Sequence, residues 1–257
     1  MAPQLKSPGQ VDALAASGAL LASVLDELVA AAEAGVTTLE LDGLAHDLIR
    51  TGGGEPAFLG YRGFRRSICA SPNDLVVHGI PGPRPLGDGD VLSLDVGVRL
   101  DGWVTDAART VVVGTASADD ARLVAAGEDA LRDAVARCVP GGHVGDVGAA
   151  VLSRAERAGV EVFPALIGHG VGRNLHEDPA VPNVGRVGEG VPLEAGLVIA
   201  VEPMLTLGRP RTRTAPDGWS VFTIDGARAT HVEVTVAVTD DGPRVLTPWS
   251  GAPARTA

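Results

Sequence analysis

The sequence predicts a mixed α/β domain in which a helix–helix–strand unit is used twice. Three observations predict it. Val91 to Val113 reads as one long β-hairpin, two runs rich in Val, Leu and Thr around an Asp101-Gly102 turn. Two pairs of helical segments, each with start and stop signals, precede strand-rich segments. Pro85 to Asp95 lines up with Pro192 to Glu202 at a constant shift of 107 residues.

In order, the first helix is expected from Val11 to about Ala34, where Gly35 stops it. Its Leu14, Leu21, Val24, Leu25 and Leu28 follow an amphipathic spacing, and with only Lys6 before it and Asp26-Glu27 at its end it is unlike a signal peptide. Thr37-Thr38-Leu39-Glu40 is a capping-box pattern opening a second helix to about Arg50, ended by Gly52-Gly53-Gly54. Phe58 to Pro81 mixes aromatics, Gly and Pro, as loops and short strands do, and Leu86 to Asp90 leads into the hairpin. The pattern then restarts: Ser117 to Asp120 caps a helix to about Cys138, Pro140-Gly141-Gly142 breaks it, and Asp146 to Ala158 forms another before Gly159. His231 to Val238 alternates as a strand. Residues 1–257 are expected to form a single domain with halves at about 8–114 and 115–249 and short flexible ends.

Composition narrows the function classes. A net charge of −11 argues against a nucleic-acid surface, and the arginines of Arg209 to Arg213 are read as a solvated loop. Two cysteines, Cys69 and Cys138, make no disulfide framework and fit a reducing cytoplasm. No run reaches the ~20 uninterrupted apolar residues of a membrane span. The single lysine against 20 arginines is read as codon bias.

With the Asp101-Gly102 turn, Asp95 faces Ala108 and Asp106 faces Gly97, so both acids share one face as diagonal neighbours roughly 7 to 8 Å apart. Two carboxylates among Ser93, Gly97 and Ala108 would repel and desolvate each other without a positive partner. The repeat places a third acid, Glu202, on Asp95. A recurring Pro-Leu-x-x-Gly turn before a strand would produce part of that match. Gly168-His169-Gly170 supplies a glycine-flanked imidazole, and Glu233 lies in the last strand, where a lone Glu is more often on a solvated face. Together Asp95, Asp106, His169, Glu202 and Glu233 make an oxygen-rich set with one imidazole, suited to Mn, Fe(II), Co or Zn as a pair of divalent ions ~3.5 to 4 Å apart.

Ser71 to Pro81 with Asn73 and His78-Gly79-Ile80-Pro81, the hairpin acids, Gly168 to Gly172, His176-Glu177-Asp178-Pro179, Val201-Glu202-Pro203-Met204, Asp217-Gly218-Trp219 and Glu233 occur in an order and spacing that resemble type I methionine aminopeptidase from about residue 5 to 249. The resemblance implies the pita-bread fold, a pseudo-twofold domain around a curved antiparallel sheet. It implies the same five metal ligands, Asp106 and Glu233 bridging both ions, and an α-amino group of the substrate on one ion, so that a single residue is removed. His176 would contact the scissile carbonyl oxygen, His78 would position substrate and assist proton transfer, and Glu202 would shuttle the proton from water to the leaving amine. Tyr61, Phe64, Cys69 and Trp219 would form the methionine pocket. The implied substrate is the N-terminus of a peptide or nascent protein with a small second residue, met near the ribosome by a cytoplasmic monomer that touches neither nucleic acid nor membrane.

Two other readings share the framework. Proline-specific aminopeptidases with these ligands usually carry an additional N-terminal domain, for which a first helix beginning by residue 11 leaves no room, and pita-bread scaffolds that bind partners have lost ligands that are intact here. The chain departs from the family at Phe58, usually small or Cys, at Arg62, usually His, at Leu175, commonly aromatic, and at Val234, commonly His. His46, His143 and His231 match no family role. His46 and His143 read as surface residues, and His231, two residues before Glu233 on the same strand face, as a residue without a role at the site, a place behind the ligands being the minor alternative. Cys138 reads as structural.

Overall fold

The hairpin and its neighbours grow out of two helices. This computed structural model describes residues 3–252. In the first half α1 (Pro8–Ala31) and α2 (Thr38–Thr51) precede β1 (Glu55–Pro56), a 3-10 turn at Tyr61–Gly63, β2 (Ile68–Pro72), β3 (Leu75–Val77), β4 (Val91–Leu100) and β5 (Trp103–Val112). The second half repeats the order with α3 (Ala118–Val135) and α4 (Val144–Ala158), then β6 (Glu161–Val162), β7 (Ile167–Gly170), β8 (Glu177–Pro182), β9 (Val198–Val201) and β10 (Met204–Thr206). It closes with β11 (Thr212–Thr214), β12 (Val221–Thr223), β13 (Ala229–His231), β14 (Val234–Thr239) and β15 (Gly242–Val245).

β4 and β5 pair in the expected register, Asp95 opposite Ala108 and Gly97 opposite Asp106. Asp101 and Gly102 both take positive φ, at 50° and 76°, as an Asp-Gly hairpin turn requires. β1 and β2 pair along the other edge of β4. A five-stranded sheet, β15-β14-β9-β7-β8, forms the counterpart in the second half, and Ala108 joins it to the hairpin by bridging Glu233. The named strand pairs are all antiparallel, as the expected fold requires. α1 lies across β4 and β5, burying Leu14, Leu21, Leu25 and Leu28, and one large apolar cluster draws on all four helices and on strands of both halves. By length and composition α1 alone among the described helices could cross a bilayer.

Several boundaries differ from expectation. α1 begins at Pro8, because the Gln10 side chain accepts the Ser7 N–H at 2.9 Å, a cap that the reading from Val11 passes over, and it ends at Ala31. α3 stops at Val135; Cys138 lies in the turn ahead of Pro140, whose ring disfavours helix before it. α4 starts at Val144, since the Asp146 carboxylate accepts the His143 N–H at 2.7 Å and makes His143 its N-cap rather than a loose surface residue. His46 is half-buried with Nδ1 3.1 Å from Ser67 Oγ. Arg213, placed in a solvated loop, instead sits in β11 with its guanidinium 4.7 Å above the Phe222 ring. Of the expected flexible ends, Met1, Ala2 and 253–257 lie outside the described residues, while Lys6 at the described N-terminal end is buried.

The largest departure is His231 to Val238. It is two strands: β13 pairs with β10 and β14 with β9, and Val232-Glu233 between them leave the ladder. There Glu233 donates its N–H to Ala108 O at 2.9 Å and accepts from Ala108 N–H at 3.3 Å. The interruption puts the Glu233 carboxylate at the junction of the two halves.

Candidate metal centre

The carboxylates are held by their backbones before any ion is considered. Asp106 donates its N–H to Thr235 Oγ1 at 3.0 Å, and the Thr235 hydroxyl donates back to Asp106 O at 2.8 Å, stitching β5 to β14. Glu233 O accepts from the Trp249 indole N–H at 3.1 Å. Glu202, between β9 and β10, has its carbonyl held by Asn183 Nδ2 at 2.8 Å. His169 sits on β7 beside a register shift; its Nδ1 donates to Gly170 O at 2.9 Å, which leaves Nε2 with a free lone pair.

Those side chains converge. His169 Nε2 lies 3.9 Å from Asp106 Oδ2 and 3.6 Å from Glu202 Oε1. His231 Nε2 lies 3.2 Å from Glu202 Oε2 and 3.8 Å from Glu233 Oε2. Asp95, Asp106, Glu233 and His231 are all at least nine-tenths buried. Asp95 Oδ1, Asp106 Oδ1, Glu233 Oε1 and His231 Nε2 are shut off from solvent without a hydrogen-bond partner. Burial pushes Asp95 up to about 7, and burial followed by the neighbouring acids pushes Asp106 and Glu233 well above the usual carboxylate range. Burial also opposes ionisation of Glu202, yet the adjacent His231 imidazole holds its carboxyl below the ordinary value.

Such a cluster calls for a positive partner. Unpartnered buried oxygens facing one another, with two imidazole nitrogens among them, are the donor set a divalent ion requires. Two sets of donor atoms lie mutually within 4.8 Å, Asp106-His169-Glu233 and Glu202-His231-Glu233. The residues present therefore fit a metal.

A cavity of about 250 Å³ opens from the acids, walled by Phe58, Phe64, Cys69, Leu175, Met204 and Trp219. Phe64 and Trp219 meet edge to face at 5.0 Å, and Tyr61 stacks on His176 at 5.4 Å with its hydroxyl 2.9 Å from Nδ1. His176 also lies 4.2 Å, ring to ring, from His169. Partial burial and that second imidazole lower the His176 pKa to about 4. His78 is exposed, in the left-handed region at φ 59° and 6.2 Å from Trp219. The expected residues thus meet in one place.

Residues 12–240 match Metallopeptidase family M24. The chain belongs to this family. Among curated relatives, the chain is 47% identical to methionine aminopeptidase 1 of Mycobacterium tuberculosis (strain CDC 1551 / Oshkosh), with 94% of each chain covered. Among solved structures, methionine aminopeptidase from Rickettsia prowazekii superposes with a TM-score of 0.94 at 37% identity, over 96% of this chain and 100% of that one. A prolidase from Pyrococcus furiosus shares the fold at TM-score 0.79 and 20% identity, with 96% of this chain matching 66% of that one. M24 membership implies the use of divalent metal, and the acid cluster supplies candidate donor sets for it.

The departures from the usual pocket are also positioned. Phe58 packs where a Cβ on Gly97 would come within 2.6 Å of its ring, so Gly97 makes room for it opposite Asp106. Leu175 is buried against the cavity. Arg62, left-handed at φ 47°, lays its guanidinium 5.3 Å from the Tyr61 ring centroid. Two contributors escaped the sequence reading: Asn183, behind Glu202, carries no pattern that marks it, and Met204 was noted only as part of a motif.

Proposed function

We propose that this chain is a methionine aminopeptidase, a metal-dependent hydrolase that removes the N-terminal methionine of a peptide or nascent protein whose second residue is small. The convergence of Asp95, Asp106, His169, Glu202 and Glu233 at the base of an apolar cavity carries the reading. Those five residues would hold two divalent ions of the Mn, Fe(II), Co or Zn type. Bound there, the ions would supply Lewis-acid polarisation of the scissile carbonyl and a lowered pKa for water.

The rest falls to the chain's own groups. Tyr61, Phe64, Cys69 and Trp219 clasp the unbranched thioether, with Phe58 and Leu175 adding apolar wall. Glu202 takes the proton of the attacking water and passes it to the leaving amine. His176 is neutral at pH 7. With the Tyr61 hydroxyl donating to Nδ1, its Nε2–H is free to donate to the carbonyl oxygen as charge develops. His78, at the rim, orients the peptide beyond the cleaved bond and assists proton transfer there. The chain acts as one catalytic domain of two halves, a monomer in the cytoplasm reaching nascent chains near the ribosome through its own surface. The shared core supports one domain, and the two buried free cysteines support a reducing compartment.

Incubating metal-loaded protein with Met-Ala-Ser and Ala-Pro-Ala tests this. Methionine release from the first is the expected result; release only from the proline peptide points to the prolidase-like activity, and release from neither, with several metals, sinks the enzymatic reading.

A further inference from the structure

The register of the second half singles out a residue that the family pattern leaves without a role. In the first half Gly97 faces Asp106. The 107-residue shift that carries Asp95 onto Glu202 carries Gly97 onto Met204. Met204 faces His231, in a register continuous with Val201 opposite Val234 across the Glu202-Pro203 and Val232-Glu233 interruptions. By the internal repeat, His231 therefore holds in the second half the position of Asp106 in the first.

A second observation agrees. The His231 backbone is fixed by Ser93 and Thr110: its N–H donates to Ser93 Oγ at 3.2 Å and Thr110 Oγ1 at 3.0 Å, and its carbonyl accepts from the Thr110 hydroxyl at 2.7 Å. The ring is only 3% exposed. Its Nε2 has no aligned hydrogen bond, although it lies 3.2 Å from Glu202 Oε2 and 3.8 Å from Glu233 Oε2. Donor atoms around a tetrahedral ion with bonds of about 2.0–2.2 Å stand roughly 3.5 Å apart. The spacing is that of co-ligands around one ion.

We propose that His231 is a sixth protein ligand of the metal centre, donating Nε2 to the ion held by Glu202 and Glu233, so that each of the two donor sets has its own imidazole. This rests on the reading of Glu202 and Glu233 as ligands. The two donor sets share Glu233, with His169 on one side and His231 on the other. A centre with two imidazoles binds borderline ions such as Zn, Co and Cu more firmly than one with a single imidazole and otherwise only oxygens.

The test counts coordinated imidazoles. Chelator-stripped protein is loaded with Cu(II) and examined by electron spin echo envelope modulation, beside His231→Gln and His169→Gln. The expected result is that each variant loses the modulation of one imidazole, and that Cu(II) affinity of His231→Gln falls at least tenfold. An unchanged modulation in His231→Gln overturns the proposal while leaving the metal reading intact. Failure of the wild type to bind Cu(II) within the cluster would overturn both. Should the variant not fold, a zinc-loaded crystal of the wild-type chain decides: Nε2 at about 2.1 Å from zinc supports ligation, and more than about 3 Å excludes it.

Discussion

Lys6, the chain's one lysine, shows how far a single side chain can escape a sequence reading. Taken as codon bias, it is buried, its ammonium 2.8 Å from Glu177 Oε2 beside His176, and its N–H donates to Gly196 O at 2.7 Å. A partner 171 residues away leaves no local pattern. Lys6→Met should cost ~1–3 kcal/mol in urea unfolding, because the half-buried Glu177 carboxylate loses its ammonium while keeping the Asn174 N–H at 3.0 Å; a loss below about 0.5 kcal/mol would show the pair to be dispensable. At the site, His176→Ala should lower kcat by about 10²–10³ with metal content unchanged, as for a lost carbonyl donor. Loss of metal there would mean that His176 is a ligand. Asp106→Ala should remove both activity and the second ion, read by metal analysis; full turnover would sink the shared-ligand role.

Among the elements, the hairpin was legible because its determinants are local: an Asp-Gly turn sets the register, and the register sets which residues share a face. Helix existence was legible for the same reason, while ends moved where caps such as Gln10 and Asp146 act. The break between β13 and β14 was not legible. It follows from pairing with β10 and β9, strands 23 or more residues upstream, which alternation within His231 to Val238 cannot register. Close packing around β7 was equally hidden: a Cβ on Gly168 would lie 2.3 Å from Ala200 O, a backbone atom. Gly168→Ala should therefore push β7 off β9, lowering stability by about 1–3 kcal/mol and weakening metal retention at His169. Wild-type stability and metal content in this variant would contradict that packing.

At the scale of the whole molecule, the repeat seen as a 107-residue shift is what gathers acids from both halves at one junction. The five ligand candidates were all legible, the hairpin pair from geometry, Glu202 from the repeat, and His169 and Glu233 with the help of the resemblance. The role argued for His231 needed the second-half register. Gathering the acids also makes the metal-free fold pH-sensitive. With Asp95 raised to about 7, and Asp106 and Glu233 also raised, the folded chain holds protons that the unfolded chain has released, so their contribution to stability falls as pH climbs from about 4 to 7. The raised His231 acts in the same sense, and the lowered Glu202 opposes it. Divalent metal replaces those protons, so the rise in melting temperature on adding Mn(II) should be larger at about pH 7.5 than at about pH 5.5. An equal rise at both would place the ion elsewhere.

The most direct measurement follows methionine release from Met-Ala-Ser while Mn(II) is returned stepwise to chelator-stripped protein and bound metal is counted in parallel. No release without metal, then release rising with occupancy until the centre is filled, is the expected result. Full release from metal-free protein, or filled sites without release, would contradict a methionine-removing metal centre at the junction of the two halves.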